Sequence, residues 1–217
     1  MAPKNPAHRT RFDWIFDSRP VASHDPWDTP LVESASFVAI PSVGAIVPGW
    51  VLIIPRVEIP NLAMLAGQAR AELAAVRERV VAILARTFTD RLFEFEHGPV
   101  KADGLLACGV EQAHLHIVPL PFDLVEAIEM SGAAGPTKCV SSKDPWDDVE
   151  AGRDYWLSRD IKSRSGILTY PVGPISQGIR RIIADRTGKA HAWDYREFRH
   201  EENVNITLAA FGASVTI

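Results

Sequence analysis

Two histidines, His114 and His116, stand two residues apart in the run Gln112-Ala113-His114-Leu115-His116-Ile117-Val118-Pro119. Polar and apolar residues alternate along it, and Pro119 and Pro121 close it. The alternation predicts a β-strand, where residues i and i+2 share a face. Both imidazoles then point the same way, ~6.5–7 Å apart along the chain. Gln112 falls on their face, and Ala113, Leu115 and Ile117 turn to the core. Paired imidazoles suit metal ligation, or a nucleophile beside a proton donor. On residue type alone, two solvated surface histidines fit equally well.

Composition removes several alternatives. The 217 residues are 47% hydrophobic and 23% charged, ordinary for a folded soluble protein of one large domain or one domain with an extension. The only cysteines are Cys108 and Cys139, and no Cys-x-x-Cys pair exists. A cysteine zinc site and a disulfide framework are therefore not expected, and a reducing cytoplasm is. The polar N-terminus does not read as a secretory signal, and no apolar run reaches the ~20 residues of a membrane helix. The net charge of −4 is uneven: residues 151–200 hold ten Lys/Arg against five Asp/Glu, and the remainder thirteen against twenty-two. A locally basic region on an acidic chain suits a small phosphorylated ligand better than nucleic acid. Arg153, Arg159, Lys162 and Arg164 are expected to solvate a helix end and a loop.

The elements that must hold the histidines are legible from pattern. Residues 1–30 read as a Pro/Asp-rich meandering arm. Residues 36–40 and 50–55 are β-prone, and the Pro/Gly-rich segment between them predicts an antiparallel hairpin. Pro60-Asn61 opens a helical region in which Leu73, Val76, Val80, Ile83 and Leu84 form an apolar stripe ending near Phe88. Residues 92–96 and the histidine run are strands. The order strand, strand, long helix, strand, strand predicts an α+β fold: an antiparallel sheet with a long helix on one face. Beyond Phe122 the pattern predicts a short helix at 123–130, a mobile loop at 131–144 and a helix at 146–157. A strand at 167–172 and helices at 176–186 and 204–211 follow. The resulting organisation is an arm (1–30), a core domain (31–122) and a mixed helical extension packed on it (123–217).

The segment 108–119 resembles the signature of the histidine triad (HIT) family of nucleotide hydrolases and transferases, His-x-His-x-His followed by two apolar residues and often proline. Gln112 takes the first position, His114 the middle and His116 the last. The hairpin around Pro48-Gly49, the run Phe95-Glu96-His97-Gly98 and the element order are similar to that family, the last run to a bacterial branch of it. Segments 176–181 and 193–196 look like an extension of some members of that branch. The resemblance implies that His114 attacks the α-phosphorus of a nucleotide, with its far ring nitrogen held by the Gln112 carbonyl. It implies that His116 contacts the phosphate and assists the leaving group. Gly109 takes a place where the family offers donors to the phosphate, here only a backbone N–H. It also implies a nucleotide as substrate, no cofactor on the protein beyond nucleotide-bound Mg2+, and a homodimer through the long helix and a sheet edge, unless the extension covers that surface.

Two departures stand out. Gln112 replaces the first histidine and cannot relay a proton; glutamine elsewhere in the superfamily, in the uridylyltransferase branch, occupies the last position. Arg56-Val57-Glu58 lacks a histidine that many relatives carry, and His97 is the candidate to supply that imidazole or merely to cap a strand. Ser176-Gln177 opens a helix bearing Arg180 and Arg181. Helix N-termini and arginine forks favour anions, so this end is a candidate for distal phosphates, against a plain Ser cap with surface arginines. Trp193 and Tyr195 are packing residues or base stackers, and Cys108 is a small apolar filler at the pocket floor. The expected function is nucleotide hydrolysis or nucleotidyl transfer at the α-phosphate of a dinucleoside polyphosphate, a nucleotidyl conjugate or a nucleotide sugar, through a covalent nucleotidyl-histidine. The alternatives are a nucleotide-binding protein that has lost turnover, and a cupin-like His-x-His metal enzyme, against which stand the long helix and the lack of a nearby downstream glutamate.

Overall fold

The computed structural model describes residues 11–16, 25–100, 112–132, 135–171 and 175–212. Among these, eight strands form one antiparallel sheet: β1 (Val32–Glu33), β2 (Phe37–Pro41), β3 (Val51–Pro55), β4 (Leu92–Gly98), β5 (Leu115–Pro119), β6 (Thr137–Val140), β7 (Tyr155–Asp160) and β8 (Gly166–Thr169). Their spatial order is β1-β2-β3-β5-β4-β7-β8-β6. Five helices accompany them: α1 (Asp13–Phe16), α2 (Gly67–Thr87), α3 (Leu124–Met130), α4 (Gly178–Arg186) and α5 (Glu201–Gly212). The architecture is α+β with the long helix α2 on one face. No described helix is long and apolar enough to cross a membrane.

Helix α2 buries Leu73, Val76, Val80 and Leu84 against Phe37, Ala39, Val51, Ile53, Leu115 and Ile117. These are the inward residues of the strands by period-2 alternation. The helix starts at Gly67 rather than at Pro60-Asn61, because the Leu62 amide donates to Glu96 (2.7 Å) and residues Leu62–Met64 form a separate 3₁₀ turn. The opposite sheet face is covered too. Phe12 and Ile15 pack on Val38, Ile40, Leu52 and Ile54, so part of the expected meandering arm is a buried component. Helices α3 and α4 bring Leu124, Ile128, Ile179 and Ile183 onto Phe93, Phe95, Trp156 and Ile167.

The C-terminal half departs most from the pattern reading. The expected helix at 146–157 is a 3₁₀ turn, Pro145–Asp148, followed by β7. Asp144 caps that turn and Gly152 (φ +77°) ends any helical path. Tyr155 and Leu157 face α2 while Trp156 faces α4, the period of a strand. The expected mobile loop contains β6, which pairs with β8 at the sheet margin. The chain beyond residue 123 thus supplies three strands of the common sheet rather than a mainly helical extension. β7 lies along β4 from Phe93–Asp160 to Gly98–Tyr155, so both edges of β4 are paired within the chain.

Buried charge ties these layers. Glu94, fully buried, accepts from Arg159 Nε at 2.6 Å and from Arg77 Nε of α2. Glu96, equally buried, accepts from Leu62 N, Trp146 Nε1 and the Tyr155 hydroxyl at 2.7–2.8 Å. Burial pushes the Glu96 carboxyl up to about 7 despite these donors. Removing the Glu94 charge would leave two guanidiniums facing each other without a counter-charge. Glu94→Gln is expected to lower the unfolding free energy by about 3 kcal/mol, read as a fall in the urea midpoint. A loss of only a few tenths of a kcal/mol, the scale of an exposed pair, would contradict this assignment.

Candidate active site

Strand β5 lies between β3 and β4, with Leu52 and Phe95 opposite His116 on its two sides. His116 therefore projects from the face turned away from α2. Its ring stacks on Phe95, centroids 4.2 Å apart and planes 7° from parallel. Trp50 Nε1 donates to His116 Nδ1 at 3.0 Å. Indole is only a donor, so Nδ1 is an acceptor and the neutral ring carries its proton on Nε2. Burial, then the neighbouring His114, His97 and Arg180, hold its pKa well below the ordinary histidine value. His116 is thus a neutral Nε2–H donor.

His114 immediately precedes β5 and has the opposite tautomer. Its Nδ1 lies 2.7 Å from the Gln112 carbonyl oxygen. A carbonyl only accepts, so Nδ1 holds the proton and Nε2 keeps its lone pair. Burial lowers the His114 pKa, outweighing the opposing bond to Gln112, and Arg11 and Arg180 lower it further. The two rings are 4.7 Å apart, and Phe12 leans on His114 at 6.1 Å.

Gln112 does not share the histidine face. The regular strand begins at Leu115, and the Gln112 amide turns into the backbone beside β3. It donates to Pro55 O (3.1 Å) and Val57 O (2.9 Å) and accepts from Ile59 N (3.3 Å). Its side chain is a structural clamp, and only its carbonyl meets the site. His97, 8% exposed, stands edge-on to His116 at 6.2 Å and to Trp156 at 5.6 Å. Neither of its ring nitrogens has a hydrogen-bond partner, and burial drives its pKa down to about 3, so it too is neutral.

These three imidazoles line one cavity, walled as well by Arg11 and Phe12, by Ser42, and by Gln177, Arg180 and Tyr195. Among the described residues no carboxylate lines it, and Asp28 pairs with the lining Arg11 at 3.0 Å. Arg180 comes from α4 and is fixed by Gly44 O and by Trp193 O at 3.2 Å, over the Trp50 ring. Gly44 (φ +64°) is needed for this junction, since a Cβ there would lie 2.6 Å from the Tyr195 Cβ.

Other candidates fall elsewhere. Arg181 is exposed, lies over Trp193 at 3.4 Å and donates to Ser176 O; neither Arg181 nor the exposed Ser176 lines the cavity. Gln177, not Ser176, occupies the cap position of α4 and makes no side-chain cap there, because its side chain turns into the cavity wall. Cys108 and Gly109 lie outside the described residues. Sequence reasoning missed Arg11, Phe12, Ser42 and the role of Trp50. An aperiodic arm gives no signal for the first two, and only hairpin register places Trp50 beside His116. Among the described residues no group of three or more His, Cys, Asp or Glu could hold a metal ion.

Comparison with known proteins agrees with this geometry in part. Residues 28–122 match the family model of the HIT domain. No curated protein matches the chain. Solved structures that resemble it include a Hit-like protein involved in cell-cycle regulation from Bartonella henselae, with an unknown ligand. It is 17% identical over 51% of this chain and 78% of that one, with a TM-score of 0.40. A zinc-bound histidine triad family protein from Mycobacterium smegmatis is 14% identical over 86% of each chain, with a TM-score of 0.31. The matched residues contain β1–β5 and α2.

Two outcomes follow from the tautomers. His114 should stay unprotonated below the ordinary histidine pKa of about 6.5, so the acid limb of any His114-dependent reaction should lie below that pH. An acid limb at or above it would contradict the burial argument. Trp50→Phe should release His116 Nδ1, and nitrogen NMR should then report a tautomer mixture in place of a single Nε2–H form.

Proposed function

We propose that the HIT domain of this chain is the catalytic centre of a nucleotide hydrolase or nucleotidyltransferase that works through His114. The observation that carries the reading is the opposed pair of tautomers. A bare Nε2 on His114 stands beside an Nε2–H on His116 in a cavity lined by Arg11, which pairs with Asp28 at 3.0 Å, and by Arg180, with no carboxylate among its described lining residues. The Arg180 guanidinium and the His116 donor favour an anion there. The resemblance to the family supplies the substrate class, a nucleoside phosphate with a leaving group beyond the α-phosphate.

The step balances as follows. The His114 Nε2 lone pair forms a bond to the α-phosphorus, and the bond from phosphorus to the leaving oxygen breaks. Nδ1–H stays on the Gln112 carbonyl, which stabilises the positive ring. His116 Nε2–H donates a hydrogen bond to the departing oxygen. Water, or the hydroxyl of another acceptor in the transferase case, then attacks phosphorus and the N–P bond breaks; the acceptor's proton passes to solvent, and the nucleotide leaves with His114 neutral and Nδ1 still protonated. Gln112 does not obstruct this scheme, because its carbonyl rather than its side chain is the working group.

His116 can lend its hydrogen bond but cannot give up the proton without becoming an imidazolate, since Nδ1 only accepts from Trp50. The leaving group must therefore depart as a stable anion. Donors that release a phosphate or polyphosphate, such as dinucleoside polyphosphates and nucleotide sugars, should turn over at least tenfold faster than alkyl esters of the same nucleotide. Equal rates would contradict this role of His116. The direct test is turnover of such donors by the wild type and His114→Ala. Activity should fall by ~10³-fold or more in the variant. A variant that retains activity would overturn the reading, and binding without any turnover by the wild type would favour a silent nucleotide-binding protein.

A further inference from the structure

Gln177 is a buried polar group in the cavity that the scheme above does not use. It is fully buried, lines the cavity with the three imidazoles, and sits in the left-handed region at φ +55°. A non-glycine residue there is strained, and such strain persists where surrounding structure holds it in place. Its Nε2 donates to Asp194 Oδ1 at 3.1 Å, and the same oxygen accepts the Arg196 amide at 3.0 Å. Asp194 Oδ1 is thus an acceptor, which fixes the amide orientation: the NH2 group faces Asp194 and Oε1 faces away from it. That Oε1 is buried and has no hydrogen-bond partner among the described residues. A buried, unpaired carbonyl costs free energy that a ligand donor would recover.

From this geometry we infer that Gln177 is a specificity-determining residue whose Oε1 accepts a hydrogen bond from a neutral O–H or N–H of the bound nucleotide. It does not contact a distal phosphate, because a carbonyl oxygen repels a phosphate oxyanion and the amide donors are turned to Asp194. The chemistry that completes the site is a ribose hydroxyl or a base amine or imide. This inference rests on the nucleotide reading and narrows its substrate class. The phosphate is left to His114, His116 and the arginines, and the donor-bearing sugar or base is assigned to the wall formed by α4 and Asp194.

The test is calorimetric binding of inert ligands to the full chain. The four ribonucleoside 5′-monophosphates and inorganic phosphate come first. For the tightest nucleotide, its 2′-deoxy, 3′-deoxy and base-amine-lacking analogues follow. One analogue should bind the wild type ~10–100-fold more weakly than its parent, and its identity separates a sugar source from a base source. Gln177→Met should weaken the parent by a similar factor and leave that analogue and inorganic phosphate unchanged. Asp194→Asn, which allows the Gln177 amide to turn over, should shrink the discrimination between parent and analogue without unfolding the protein. Equal binding of all analogues by the wild type would overturn the inference and leave the nucleotide reading standing. So would a Met variant that weakens every ligand alike, phosphate included. A wild type that binds inorganic phosphate but no nucleotide would overturn the nucleotide reading itself.

Discussion

Two hydrogen bonds with obligatory direction govern the site. The Trp50 indole can only donate and the Gln112 carbonyl can only accept, so His116 and His114 hold opposite tautomers. Burial lowers the pKa of both rings and so favours their neutral forms. The pairing needs β3 beside β5 to present Trp50, and it needs the chain before β5 to turn its carbonyl inward. The Gln112 side chain secures that turn by gripping the backbone at Pro55, Val57 and Ile59. Gln112 thus meets His114 through its backbone carbonyl, and its side chain is spent on placing that backbone.

The rest of the chain encloses this pair. α2 seals one sheet face, and Glu94 joins that helix to β7 through two arginines. The opposite face is left to segments far apart in sequence. Arg11 and Phe12, together with Gln177, Arg180 and Tyr195, line the cavity. Arg180 reaches across to the Gly44 carbonyl, so the hairpin and α4 are fixed to one another. Fixed donors and acceptors held in this partly buried cavity act on a ligand at lower dielectric than in water.

The central half of this arrangement was legible from residue order. The alternation around His114 and His116 fixed β5, the 3.6-residue stripe fixed α2, and the Pro/Gly segment between two apolar runs fixed the hairpin. Those signals are local and periodic. The C-terminal strands were not legible, because Pro145-Trp146 imitates a helix start and the alternation at 155–159 is short. β6 carries exposed residues that read as loop. Arg181 and Ser176 looked like phosphate ligands by type, but the αL turn at Gln177 rotates them out of the cavity and Gln177 into it. Trp50 was visible as part of the hairpin, yet its partnership with His116 depends on register between β3 and β5, which no local pattern encodes.

The most direct measurement is a rapid-quench reaction with a dinucleoside polyphosphate, read by intact-protein mass and peptide mapping. The account predicts a transient nucleotidyl adduct on His114, formed and lost at rates that match product release, and absent from His114→Ala. Product that accumulates with no adduct, or an adduct on any other residue, would contradict the assignment of His114 as the nucleophile.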